Sequence, residues 1–126
     1  MTVLVTIPGV PTEPNSVLLT TTAATDIKTF TAGSTGIAYI TSIILVNRDS
    51  SARLVTVWWT NDTTDYPIYE ASVPANSTIN ALDAPLAFNA KSTAKKIRAQ
   101  AATANVVTVT VVHTLSSQQN SQGAAR

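Results

Sequence analysis

Val107-Thr108-Val109-Thr110-Val111 alternates aliphatic and hydroxylated side chains without a break. Successive side chains of a strand point to opposite faces, so this segment has one apolar and one threonine face, as a half-buried β-strand does. Working outward, Ile97, Ala99 and Ala101 alternate in the same way with Arg98 and Gln100. The period of two recurs over residues 17–22, 27–30, 37–47, 53–60, 67–71, 77–82 and 86–88, and no stretch carries the 3.6-residue period of an amphipathic helix. Ala84-Pro85-Leu86 marks an edge strand or a corner. Turn chemistry separates the strands at Ala32-Gly33-Ser34-Thr35-Gly36, residues 47–52 and 61–65, Pro74-Ala75-Asn76 and Thr103-Ala104-Asn105. About eight short strands at this spacing predict an all-β chain folded as a single antiparallel β-sandwich, with jelly-roll and immunoglobulin-like topologies both open.

The two ends read differently. Residues 1–16 hold a short apolar piece with Val3, Leu4, Val5 and Ile7, followed by Pro8, Gly9, Pro11 and Pro14. Prolines this close together exclude a helix or a central strand, and predict an extended N-terminal arm free to reach beyond its own domain. The sandwich is expected over residues 17–115. Residues 116–126 are Ser, Gln, Gly and Ala with no apolar anchor, which predicts a polar C-terminal tail.

Composition narrows the function. Charged residues make up 12% of the chain, about half the usual share, and the net charge of +1 gives no field that would gather phosphates or an anionic membrane. Lys91, Lys95, Lys96 and Arg98 cluster locally, but without a Gly-rich loop or interleaved aromatics they read as a solvated strand face. No nucleic-acid partner is expected. The chain has no cysteine, which excludes disulfides, thiolate metal sites and a cysteine nucleophile. The first ten residues lack the pattern of a secretory signal and no apolar run reaches membrane-spanning length, so synthesis and folding in a cytoplasm without a membrane partner is the expectation.

Two segments carry apolar groups on both faces. Ile43-Ile44-Leu45-Val46 is aliphatic at consecutive positions, where a sandwich strand should alternate. Trp58 and Trp59 are adjacent, so in a regular strand one fills the core and the other needs a different cover. That cover is either the arm, a loop or a bulge of the same chain, or a second subunit. Trp58, Trp59, Tyr66 and Tyr69, together with Val3, Val5 and Ile7 of the arm, are the candidate interface residues, because aromatic anchors concentrate binding energy at interfaces. A glycan platform is the competing reading of the same four aromatics.

No catalytic set emerges. His113 is the single histidine, in phase with Val107, Val109 and Val111, and reads as a structural residue. No G-x-S-x-G singles out a serine for a triad. Asp49, Asp62 and Asp65 could converge on calcium only if their loops meet, and turn capping is the simpler role. The glycines make no phosphate-binding pattern, and Asn61-Asp62-Thr63 and Asn76-Ser77-Thr78 match the glycosylation pattern by composition. A non-enzymatic protein with no metal and no cofactor is expected.

From about residue 29 to 112 a series of motifs stands in order: Phe30-Thr31-Ala32-Gly33, then the aliphatic strand Ile40-Thr41-Ser42-Ile43-Ile44-Leu45-Val46-Asn47-Arg48 ending in Asn. Ser50-Ser51-Ala52-Arg53-Leu54-Val55-Thr56-Val57 and Val73-Pro74-Ala75-Asn76-Ser77-Thr78 follow, then Ala84-Pro85-Leu86, Ile97-Arg98-Ala99 and Asn105-Val106-Val107-Thr108-Val109. In these motifs the stretch resembles small virion structural proteins of tailed bacteriophages. Two positions depart from the pattern: Asn76 stands where glycine is usual, and lysine, serine and threonine replace a Gly-Asp turn before the Ile-Arg strand. The resemblance implies a virion component, made in the host bacterial cytoplasm and often a homotrimer. Such a protein decorates or cements the head, against the major capsid protein or another virion protein, or forms part of a tail or fibre. In that setting the arm would lie across a neighbouring subunit and add a strand to its sheet edge.

Overall fold

The computed structural model describes residues 10–116; the arm residues Val3, Val5 and Ile7 lie outside them. The described residues form ten strands and no helix: β1 (Val10–Pro11), β2 (Asn15–Leu18), β3 (Thr25–Phe30), β4 (Ile37–Asn47), β5 (Arg53–Asn61), β6 (Thr64–Val73), β7 (Ser77–Asn80), β8 (Leu86–Phe88), β9 (Lys95–Ala101) and β10 (Val107–Ser116). They make two antiparallel sheets. In the six-stranded sheet β10 and β4 are the central pair, with β1 and β2 along the free side of β10 and β7 and β8 along that of β4. The four-stranded sheet has the order β3-β9-β5-β6.

The pairing is nested. β5 pairs with β6, β4 with β7 and β8, β3 with β9, and β2 with β10. A chain that folds back on itself so that each earlier strand meets a later one, with the layers alternating between two sheets, is a jelly roll. The strand order thus decides between the two topologies that the strand pattern alone leaves open.

Alternation in the sequence becomes the core directly. Ile40, Ile43 and Leu45 from β4, Val107, Val109 and Val111 from β10, Val55 and Val57 from β5, and Ile97, Ala99 and Ala101 from β9 are all buried between the sheets. β4 keeps its phase by a bulge: the register against β10 slips between Val112 and His113, so Ile40 and Ile43 both face inward although three positions apart. Ile44 and Val46, the second face of the aliphatic run, stay half-buried on the outside.

Several boundaries differ from the sequence expectation. The strand expected at 17–22 is instead Asn15–Leu18. Leu19 bends inward and is fully buried, its N–H donating to Val107 O (2.9 Å) and its carbonyl accepting from Asn105 N–H (2.8 Å). β1 and the first half of β2 fall within the segment read as an arm, and both pair with β10 of the same chain. The loop expected at 61–65 shrinks to a hairpin turn in which Asp62 takes a φ of 59°, and β6 runs from Thr64 through Pro67 to Val73. Pro67 is tolerated because β6 is an edge strand. The expected strand at 77–82 ends at Asn80. Its Oδ1 accepts from the N–H groups of Ile43 and Leu82 (both 3.1 Å), turning the chain while Ala81 and Leu82 drop into the core.

One end of the sandwich is closed by Asn47. Its side chain is fully buried and its Nδ2 donates to the carbonyls of Ser51 (3.0 Å), Val73 (3.0 Å) and Pro74 (3.2 Å), while Oδ1 accepts from Asp49 N–H (2.9 Å). One amide thereby ties the β4–β5 turn to the β6–β7 turn. Asn76, at a φ of 51°, returns its N–H to Asp49 O (3.1 Å), in the left-handed conformation that asparagine tolerates better than most residues. Asn47→Ala would strand those carbonyls away from water, and should lower stability by about 3 kcal/mol in urea unfolding. A loss under about 1 kcal/mol would mean that the turns hold without the amide.

Candidate functional site

The sequence candidates fall on β5 and β6, and the local geometry separates them. β5 alternates Leu54, Thr56 and Trp58 outward with Val55, Val57 and Trp59 inward. A bulge in β6 sets Val57 opposite Tyr69 and Trp58 opposite Pro67, leaving Ile68 as the extra residue, and Trp59 then faces Tyr66. Ile68 and Tyr69 are both half-buried and pack against the core.

Trp59 is held inside the molecule. Its ring stacks on Tyr66 (centroids 5.0 Å apart, 25° between planes) and on Phe88 (5.4 Å, 29°). Phe88 meets Phe30 edge-on at 6.1 Å, and Phe30 meets His113 edge-on at 5.2 Å. Five rings therefore cross from the edge of one sheet to the centre of the other and close the end opposite Asn47. Of the four aromatic candidates, Trp59 and Tyr69 are thus packed against their own core, while Tyr66 stacks on Trp59 and stays 42% exposed. Trp58 stands on the outer face, directly opposite Arg98 on one side and Pro67 on the other, and remains half-buried.

That outer face carries an open groove of about 230 Å³, lined by Leu54, Thr56, Gln100 and Ala102. Beyond Trp58 lies an ion network. Arg98 reaches Asp26 (2.7 Å) and Asp65 (3.0 Å), Lys96 reaches Asp26 (3.3 Å), and Thr60 donates to Asp65 (2.6 Å). Lys95 donates to Asn61 Oδ1 (2.8 Å) and Thr93 Oγ1 (2.6 Å). Three members of the basic cluster are therefore committed to partners within the chain.

The aspartates do not converge. Asp49 precedes β5, whereas Asp62 and Asp65 follow it, which sets them roughly 30 Å apart along a nine-residue strand. Among the described residues no group of three or more His, Cys, Asp and Glu side chains could hold a metal ion. Asp49 instead pairs with Arg53, whose hydrogen bond holds its carboxyl below the usual carboxylate range despite a smaller opposing desolvation.

His113 is buried beneath the start of the described chain. The Thr12 hydroxyl lies 3.1 and 3.2 Å from its two ring nitrogens and donates to its carbonyl at 2.8 Å, and Thr12 N–H reaches the same carbonyl. Sequence reasoning placed His113 correctly in phase with the valines, but missed Phe30, Phe88, Thr12 and Asn47. Asn47 did leave a trace: it is a polar residue directly in phase with Ile43 and Leu45 at the end of the aliphatic run.

No family model, curated protein or solved structure matches the chain.

Burial, and secondarily the charge of Lys28, push the His113 imidazole below its ordinary value of 6.5. The unfolded chain then binds the proton more readily than the folded one, so the stability that neutral His113 contributes is complete above 6.5 and is lost as pH falls below it. The melting temperature should therefore drop between pH 7.5 and 5.5, and His113→Phe, which keeps a ring against Phe30, should flatten that dependence. Parallel profiles for the two proteins would remove His113 as the titrating group.

Proposed function

We propose that this protein is a non-enzymatic virion structural component of a tailed bacteriophage, acting as a decoration or cement protein on the capsid. The observation that carries the reading is where the motifs of the resemblance meet. The aliphatic strand ending in Asn47, the Ser50-Ser51-Ala52 turn and the Val73-Pro74-Ala75-Asn76 turn converge on the single buried amide of Asn47. These motifs are the parts that fix one end of a jelly roll, a fold on which many capsid proteins are built. This last link is an analogy of fold, and the function rests on it together with the resemblance.

The physics of the body suits the role. Turns at both ends are tied down: Gly33 N–H donates to Ala90 O (2.9 Å) and Asp62 N–H to Ala94 O (2.9 Å) at the aromatic end, as Asn47 does at the other. A shell component is held by many weak contacts acting together, which favours a stiff body over mobile loops. Purified full-length chain should co-sediment with capsids assembled without it and raise the temperature at which they open. Failure to bind capsids, with binding instead to tails or fibres, would move the protein to those structures; binding to no virion part would remove the reading.

A second reading is favoured by one observation, an outward Trp58 on the same sheet face that carries the groove. An outward tryptophan beside Thr56 and Gln100 is a platform on which a sugar ring can stack. It predicts that a host glycan alters tryptophan fluorescence in the native protein and that Trp58→Ala abolishes the response. Trp59→Ala, by contrast, removes the centre of the ring stack and should cost about 3 kcal/mol of stability. No response across a broad glycan panel would discard the platform.

A further inference from the structure

The two sheets differ in charge. No strand of the six-stranded sheet contains Asp, Glu, Lys or Arg, whereas every strand of the four-stranded sheet does, with Asp26 on β3, Arg53 on β5, Asp65 on β6 and Arg98 on β9. The outer face of the six-stranded sheet is therefore built from neutral side chains alone. Its rows run across the strands: Leu18, Thr108, Val46 and Thr78 in one, and Ser16, Thr110, Ile44 and Asn80 in the next. Val112 and Tyr39 continue it toward the aromatic end.

Soluble antiparallel sheets usually place charged or strongly polar groups on the face turned to water, and protect edge strands with lysine or other charges. Here both are missing on one sheet only. Charges enter at its rim, where exposed Glu13 and Asp83 lie in the β1–β2 and β7–β8 connections. A neutral, partly aliphatic centre within a charged rim is the composition of a protein interface.

We infer that this face binds a second copy of the same chain, which deepens the assembly reading above and rests on it. Three observations select that occupant. A face without charge meets its own copy with no like-charge contact, and offers nothing by which a strongly charged partner would be recognised. Its size fits a weak, concentration-dependent contact: the six strands of 2, 4, 11, 4, 3 and 10 residues, at about 3.3 Å per residue and about 4.8 Å between strands, give roughly 540 Å² a side, below the ~800 Å² of a standard interface and in the range of transient ones. Finally, residues 1–9, with Val3, Val5 and Ile7, join the described body at Val10, on the edge of this same sheet.

The test is the solution mass of the full-length chain by light scattering over a broad range of concentration. The expected result is a concentration-dependent oligomer that Ile44→Lys and Val112→Lys each weaken by at least about tenfold, since each would bury an unpaired charge. Trp58→Lys, on the other sheet, should leave association unchanged. Because the chain has no cysteine, Thr110→Cys and Thr56→Cys supply single thiols that do not depend on the lysine variants folding. The Thr110→Cys thiol should become protected from maleimide as concentration rises, and the Thr56→Cys thiol should not. A monomer at every concentration, or equal reactivity of the two thiols in an oligomer, overturns the inference. If that monomer still binds capsids, the virion reading stands and only the self-association face is lost.

Discussion

Ten residue pairs, interrupted by one bulge, join β10 to β4, from Val107 opposite Asn47 to Ser116 opposite Ile37. Everything else in the molecule is arranged around this pair. It lies at the centre of the six-stranded sheet, it supplies Ile40, Ile43, Leu45, Val107, Val109 and Val111 to the core, and each remaining strand of that sheet pairs with one of its members. Its formation requires segments some sixty residues apart to meet. The cost of ordering so long a loop is repaid only by the burial of the aliphatic rows, at about 25 cal/mol per Å² of apolar surface removed from water.

The two ends of the sandwich solve the same problem by different chemistry. Between the sheets there is room for side chains, and at each end the layer must be sealed without stranding backbone groups. At one end a single amide, Asn47, answers several carbonyls at once. At the other, rings fill the space from Tyr66 to His113, and Thr12 covers the imidazole. Among the described residues no buried side-chain nitrogen or oxygen lacks a partner, so neither seal leaves a penalty behind.

Much of this was legible in the sequence, and the remainder was hidden for definable reasons. The period of two at Val107 to Val111 and at Ile97 to Ala101 identifies strands because it reports a local property, the orientation of successive side chains. The all-β antiparallel sandwich follows from such segments. The adjacent tryptophans also announced that one must face outward, and the unbroken alternation of β5 from buried Val55 and Val57 makes it Trp58. What periodicity cannot report is which strands share a sheet. The neutral and charged segments alternate along the chain because the fold alternates between layers, so the separation of charge between the two faces emerges only when the strands are sorted by pairing. The short strand at Asn15–Leu18 was displaced for a similar reason: Leu19 is drawn inward by Val107 and Asn105, far away in sequence.

The nesting of the strands also brings the first and last of them side by side, with Val10 opposite Leu115. A few residues would bridge that gap, and the chain could then be reopened at the tight turn between Asn61 and Thr64. Such a circular permutant would invert the order of contacts, making the β5–β6 hairpin the most distant pairing and the β1–β10 edge the most local. The finished sandwich would be the same object reached from the opposite direction, and comparing the two folding rates would separate what the architecture demands from what the order of the chain imposes.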